Sequence, residues 1–309
     1  MIEKTALDEN QSKNLTYFDN SARACWKLVL KSLPNDSKVL LPSYIGFTQR
    51  EGSGIYDPIV ETKLEHDFYS LNEDLSINAK SLENDLKKGD YQLILLVHYF
   101  GLKIENLQEL VDLAHKYNVQ VVEDCAHLYN YNQYEFSDAG TYGDYVFYSL
   151  HKNFPIKEGG LLVQNNHSLE CIQKATENNP QLGRLIFDYD VKSIITKKIE
   201  NYVYLQNRLI DNPYIDLLKP FAVGDIPHTF PIIVKSGLRE KAYFAMIEKG
   251  FTLIALYYRM IEPIYEQKIE NTIGLSNSIL NLPIHQDVTI VELDALISAL
   301  EEVLIKLNK

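Results

Sequence analysis

Two residues stand where chemistry is possible. The run Val119-Gln-Val-Val-Glu-Asp-Cys-Ala-His127 is apolar and β-rich and leads to the carboxylate of Asp124. A second β-like run, Gly143-Asp-Tyr-Val-Phe-Tyr-Ser-Leu-His-Lys152, ends on a primary amine. After it come Asn153-Phe-Pro-Ile-Lys-Glu-Gly-Gly160 and another apolar strand, Leu161-Leu-Val-Gln164. A buried lysine and a carboxylate at the C-terminal ends of parallel strands meet the needs of pyridoxal phosphate (PLP). The amine forms a Schiff base with the aldehyde, and the acid keeps the pyridine nitrogen protonated so that the ring can draw in electrons.

The elements around these runs have to place them at one edge. Tyr91-Gln-Leu-Ile-Leu-Leu-Val-His98 is almost continuously apolar, as a strand covered on both faces would be. Ile104 to Tyr117 has apolar residues at helical spacing, and Val119 to Glu123 is the next strand. A β-α-β unit of this kind crosses over right-handed and makes the strands parallel. Ligands of such sheets lie beyond the carboxyl ends of the strands, where Asp124 and Lys152 fall. Upstream, Asp19-Asn-Ser21 offers N-caps to a helix over Ala22–Leu33, and Val39–Tyr44 reads as a short buried strand. Ile77–Leu86 reads as a further helix. Downstream, 166–208 is unevenly helical and 214–227 reads as a connection. His228–Val234 and Phe251–Tyr257 read as strands around a helix over Leu238–Lys249. An amphipathic helix closes the chain at Leu307, with Thr289 and Glu292 spaced as a capping box. The predicted organisation is a large α/β domain over 1–213 and a smaller α/β domain over 214–309.

Composition excludes several classes. With 309 residues the chain has room for these two domains and a substantial core. A formal charge of −12 speaks against general nucleic-acid binding, which needs a positive face. Cys25, Cys125 and Cys171 are odd in number and lack metal-ligand spacing, and the eight histidines form no zinc motif, so no metal and no structural disulfide are expected. No apolar run reaches the ~20 residues of a membrane span, and the first residues lack a signal-peptide pattern. A cytoplasmic enzyme is the expectation.

Motifs along the chain carry a resemblance: Asn20-Ser-Ala-Arg-Ala24, Leu41-Pro-Ser-Tyr44, Val97-His-Tyr-Phe-Gly101, Val122-Glu-Asp-Cys-Ala-His127, Lys152-Asn-Phe with Glu158-Gly-Gly160, and Leu280-Asn-Leu-Pro-Ile-His285. In these residues and their order the sequence resembles the DegT/DnrJ/StrS family of PLP-dependent sugar aminotransferases, of the fold-type-I superfamily. The resemblance implies a three-layer α/β fold with a mainly parallel central sheet. It also implies a homodimer with active sites at the subunit interface. Lys152 would hold PLP covalently and shuttle a proton, Asp124 would pair with the pyridinium nitrogen, and His127 would sit near the phenolic oxygen. Backbone N–H groups at Ser21, Ala22 and Arg23 would bind the phosphate at a helix N-terminus. Ala22 stands where the family has Gly.

Ser149 lies three residues before Lys152, whereas the family places its phosphate-contacting Ser five before. The resulting Ser-Leu-His-Lys is shared with other fold-type-I enzymes, including cysteine desulfurases. For the aromatic side chain that stacks on the ring, Phe47 is the first candidate and Tyr44 the second. The family's Gly-x-Asn segment, which reaches a phosphate across the interface, has only Asn178, Asn179 and Asn201 as candidates. The implied activity is transfer of an amino group from an amino acid, with glutamate as the donor, to a keto group of a nucleotide-linked sugar. The alternatives are another PLP enzyme, such as a lyase or desulfurase, and a non-catalytic regulatory protein on the same fold.

Overall fold

The computed structural model describes residues 15–133, 135–170, 172, 182, 188–254 and 256–309. Among these, seven runs build one sheet: β1 (Leu15–Asp19), β2 (Lys38–Pro42), β3 (Glu65–Tyr69), β4 (Tyr91–Val97), β5 (Gln120–Asp124), β6 (Tyr145–Ser149) and β7 (Gly160–Gln164). Their order is β1-β7-β6-β5-β4-β2-β3. Neighbours are parallel from β3 through β6, and antiparallel where β7 and β1 join. The apolar run predicted over Tyr91–His98 becomes β4, whose residues from Leu93 to Val97 are all buried.

Four helices, α1 (Ala22–Ser32), α2 (Tyr56–Thr62), α3 (Ala79–Lys88) and α4 (Leu107–Lys116), fall between these strands. Helix α1 buries Ala22, Cys25, Trp26, Val29 and Leu30, one stripe at 3.6-residue spacing, and packs on β6 and β7. Its N-cap is Ser21, whose Oγ accepts the Ala24 N–H at 3.1 Å. Helix α4 turns Leu107, Leu110, Val111 and Ala114 inward and packs on β5.

After α5 (Val191–Leu209) a second sheet forms from β8 (Ile215–Leu217), β9 (Thr229–Val234) and β10 (Ile279–Pro283), antiparallel throughout with β9 central. The helices α6 (Arg239–Glu248), α7 (Glu262–Glu266), α8 (Glu270–Ser278) and α9 (Ile290–Leu307) accompany it. Thr289 and Glu292 form the expected capping box at the start of α9, with the Glu292 carboxylate accepting the Thr289 N–H at 2.8 Å.

Two expectations are corrected here. The connection 214–227 contains β8. Among the described residues of Phe251–Tyr257 no strand forms, and only Ile254 makes a bridge, to Asn281. The place beside β9 is taken instead by β10, in register from Ile279↔Ile233 to Pro283↔Thr229. Tyr257 itself adopts φ 55°, a left-handed backbone that ends extended pairing.

Candidate active site

Register brings the chemistry to one edge. Val97, Asp124 and Phe147 are neighbours across β4, β5 and β6, at or near the carboxyl ends of all three strands. Beyond β6 a 3₁₀ turn over Leu150–Lys152 lifts the lysine above the sheet. The N-terminus of α1 reaches the same edge because Ser21 bridges Gly159. A Cβ on Gly160 would lie 2.3 Å from the Ser21 carbonyl, so only glycine permits this approach. These elements and the loop after β2 enclose a cavity of about 600 Å³. Its lining includes Ser21, Ala22, Arg23, Phe47, Asp124, His127, Ser149 and Lys152. Its size lies within the range of small-molecule sites.

The lysine has one close polar neighbour, with Nζ 2.9 Å from His127 Nε2. The protonation of His127 follows from its other nitrogen, because Nδ1 accepts the Phe100 N–H at 3.2 Å. The ring proton therefore sits on Nε2, which faces the Lys152 amine. Electrostatics agree. Burial pushes the lysine's pKa down, with Asp124 and Glu51 only partly offsetting it, and burial followed by Lys152 pushes His127 well down. The Phe100 N–H is aimed by an unusual backbone, φ 59° at a non-glycine residue. It is held there because the His228 N–H donates to the Phe100 carbonyl at 2.7 Å, and because Gly101 packs too closely to Ile226, His228 and His127 to carry a side chain.

Asp124 is 6% exposed. Its Oδ1 accepts the Ala126 N–H at 2.8 Å. Burial pushes its carboxyl up to about 6, against the opposing pull of that N–H, Lys152 and His98.

The donor set fits PLP. At the start of α1 the Ala24 N–H is held by the Ser21 side chain and the Cys25 N–H by the Ser21 carbonyl. The N–H groups of Ala22 and Arg23, the first two of the helix, have no intrahelical partner, and both residues line the cavity. Two backbone donors at a helix N-terminus suit a phosphate, even with Ala22 in the place of Gly. The Arg23 guanidinium turns away to Asp57, at 3.4 Å, and to the Glu51 carbonyl, so Arg23 offers the site its backbone. Ser149 Oγ lies on the same wall, 3.3 Å from His151 Nδ1. Lysine, carboxylate, imidazole N–H and anion cradle thus converge on one cavity.

Other candidates lie elsewhere. Tyr44 is fully buried and does not line the cavity, because it is stacked behind Tyr257 at 5.1 Å. Asn201 is also buried, and its Nδ2 donates to the carbonyls of Ile284, His285 and Val288, each at 3.3 Å, so it cannot reach across an interface. Asn178 and Asn179 lie outside the described residues. Among the described residues, His98, Glu123 and Cys125 have ligand-type atoms within 4.8 Å of one another. The histidine and the carboxylate are committed elsewhere. Glu123 accepts the N–H groups of Gly140, Tyr142 and Gly143 and bonds His98 Nε2 at 3.0 Å, while His98 Nδ1 accepts from Ile104.

Sequence reasoning passed over Tyr257 and His151 as lining residues. The signal for Tyr257 was the glycine at position 46: a Cβ there would lie 2.9 Å from Tyr257 Cδ1.

Residues 61–180 match the DegT/DnrJ/EryC1/StrS aminotransferase family. A UDP-4-amino-4,6-dideoxy-N-acetyl-beta-L-altrosamine transaminase of Campylobacter jejuni subsp. jejuni serotype O:23/36 is 23% identical over 329 residues, covering 92% of this chain and 85% of that protein. Helicobacter pylori PseC, an aminotransferase involved in the biosynthesis of pseudoaminic acid, shares the fold with a TM-score of 0.76 at 16% identity, covering 96% of this chain and 87% of that one. NtdA from Bacillus subtilis, solved with bound cofactor PMP, gives 0.71 at 18% identity, covering 94% and 73%. The stretch 61–180, which carries β4, β5, Asp124 and Lys152, is thus similar to the DegT/DnrJ/EryC1/StrS aminotransferase family, and the fold of such aminotransferases continues through the remaining length.

Proposed function

We propose that this protein is a PLP-dependent aminotransferase that moves an amino group from an amino acid, glutamate in the first instance, to a keto group of a nucleotide-linked sugar. The observation that carries the reading is a lysine amine 2.9 Å from an imidazole N–H, sharing a cavity with a buried aspartate and a helix N-terminus. When bound, PLP supplies an aldehyde for covalent attachment at Lys152 and a protonated ring that withdraws electrons from the substrate carbon. Asp124, ionised above pH of about 6, would hold the proton on the pyridine nitrogen. Ala22, Arg23 and Ser149 would hold the phosphate. Lys152, its pKa lowered by burial, would move a proton at the substrate carbon once the amino donor had displaced it from the aldehyde. His127 Nε2–H, which faces the Lys152 amine, would be available to the phenolic oxygen of a bound PLP. Relatives named as sugar transaminases support the acceptor class. A homodimer, a cytoplasmic location and the division of the chain at 213/214 belong to the same reading.

Among the described residues, Cys25 and Cys125 are both buried with their thiols pushed up, and neither could serve as the exposed thiolate of a desulfurase. The test is the visible spectrum of the protein with PLP, before and after glutamate, with Lys152→Ala in parallel. The expected result is a yellow band that glutamate bleaches and the variant lacks. A band indifferent to every amino donor would refute aminotransfer.

A further inference from the structure

We propose that Tyr257 is the aromatic wall on which the flat ring of the cofactor rests, filling a space that Gly46 leaves open. The inference builds on the PLP reading above and concerns which side chain of this chain meets the ring. A planar heteroaromatic held by its edge atoms needs an apolar face beside it, and aromatic side chains supply such a face with defined geometry.

The cavity offers three aromatic rings beyond its histidines: Phe47, Phe147 and Tyr257. Phe147 packs on Trp26 at 6.0 Å. Phe47 lies under the Arg259 guanidinium at 5.7 Å. Tyr257 is the one of the three whose ring meets the His127 ring. Its centroid is 6.0 Å from that of His127, and the Asp124 charge is near enough to push its phenol further up after burial.

Its position is built rather than incidental. One neighbour is Tyr44, stacked at 5.1 Å and 21°, while Tyr99 and Phe100 meet it edge to face at 5.5 and 5.4 Å. The Tyr44 hydroxyl donates to the Tyr257 carbonyl at 3.2 Å, and the Tyr99 hydroxyl to the Tyr44 carbonyl at 2.6 Å. These contacts hold Tyr257 at φ 55°, a conformation a tyrosine rarely adopts without restraint. Gly46 completes the arrangement, since a Cβ there would lie 2.9 Å from the ring's Cδ1. The loop after β2 has given up its side chain at the point where a ring from the C-terminal part of the chain enters.

The experiment is a PLP titration of the purified cofactor-free protein. It is followed by the visible band and by fluorescence of Trp26, the single tryptophan, which packs on cavity-lining Phe147. Tyr257→Leu is expected to weaken PLP roughly tenfold, the scale of a lost aromatic contact, and Tyr257→Phe to stay within about twofold. Phe47→Leu is expected to cost less than about threefold. Should Tyr257→Leu fail to fold by circular dichroism, Tyr257→Met carries the same expectation on an unbranched side chain. Wild-type affinity retained in the leucine or methionine variant, or a larger loss in Phe47→Leu, would overturn the inference while leaving PLP chemistry intact. Failure of the wild-type protein to bind PLP would overturn both.

Discussion

At neutral pH Asp124 carries its charge in a place that penalises it. Its carboxyl is pushed from 3.8 to about 6 in the folded protein by burial. The folded state therefore binds this proton more tightly than the unfolded chain. The stability gained from it is full below pH of about 4 and is lost as pH rises to about 6, a loss of about 3 kcal/mol. Asp124→Asn keeps the shape and the acceptor for the Ala126 N–H. It should raise the cofactor-free protein's unfolding free energy at pH 7.5, while the two proteins converge below pH 4. The same variant should bind PLP poorly, and wild-type affinity should fall as pH drops below about 6. Denaturant melts across pH check the first claim and PLP titrations the second. Lys152 and Asp124 could be read from the sequence because each closes an apolar run. The tautomer of His127 could not, because the backbone N–H of Phe100, 27 positions away, determines it.

At the scale of elements, Glu123 ties β5 to the loop that precedes β6. Its carboxylate accepts three backbone N–H groups, from Gly140, Tyr142 and Gly143, and is fully buried. Glu123→Ala leaves those donors and His98 without their partner, at a cost of at least about 3 kcal/mol. The measurement is the midpoint of urea unfolding, and little soluble protein at 37 °C is the expected companion. Most elements were legible to within two or three residues, because β4, α4, β5 and α9 carry clear periodicity or capping residues. The misreading of Phe251–Tyr257 has a physical cause. A short apolar run fits a strand or a buried irregular segment equally well. The choice depended on β10, a later segment that outcompetes it for the edge of β9.

Over the whole molecule, one hydrophobic core runs across both sheets, and buried polar residues fix the loops around it. Asn201 on α5 donates to three carbonyls of the 284–288 loop, and its own Oδ1 is buried without a partner. Asn201→Ala should cost about 2 kcal/mol of stability and leave PLP affinity within about twofold, since the residue lies outside the cavity. Thermal unfolding and a PLP titration of the same sample separate the two effects. The pairing of β1 with β7 has a consequence for synthesis. Asp19 pairs with Gly160, about 140 residues later, and Ser21 takes its place only against Gly159 and Gly160. A ribosome that has released 140 residues has delivered α1 with α2 to pack on but without β6 and β7. The anion cradle and the lysine come together only when β7 emerges, and Tyr257 joins the cavity later still, so the site is complete only once the C-terminal part of the chain has been made.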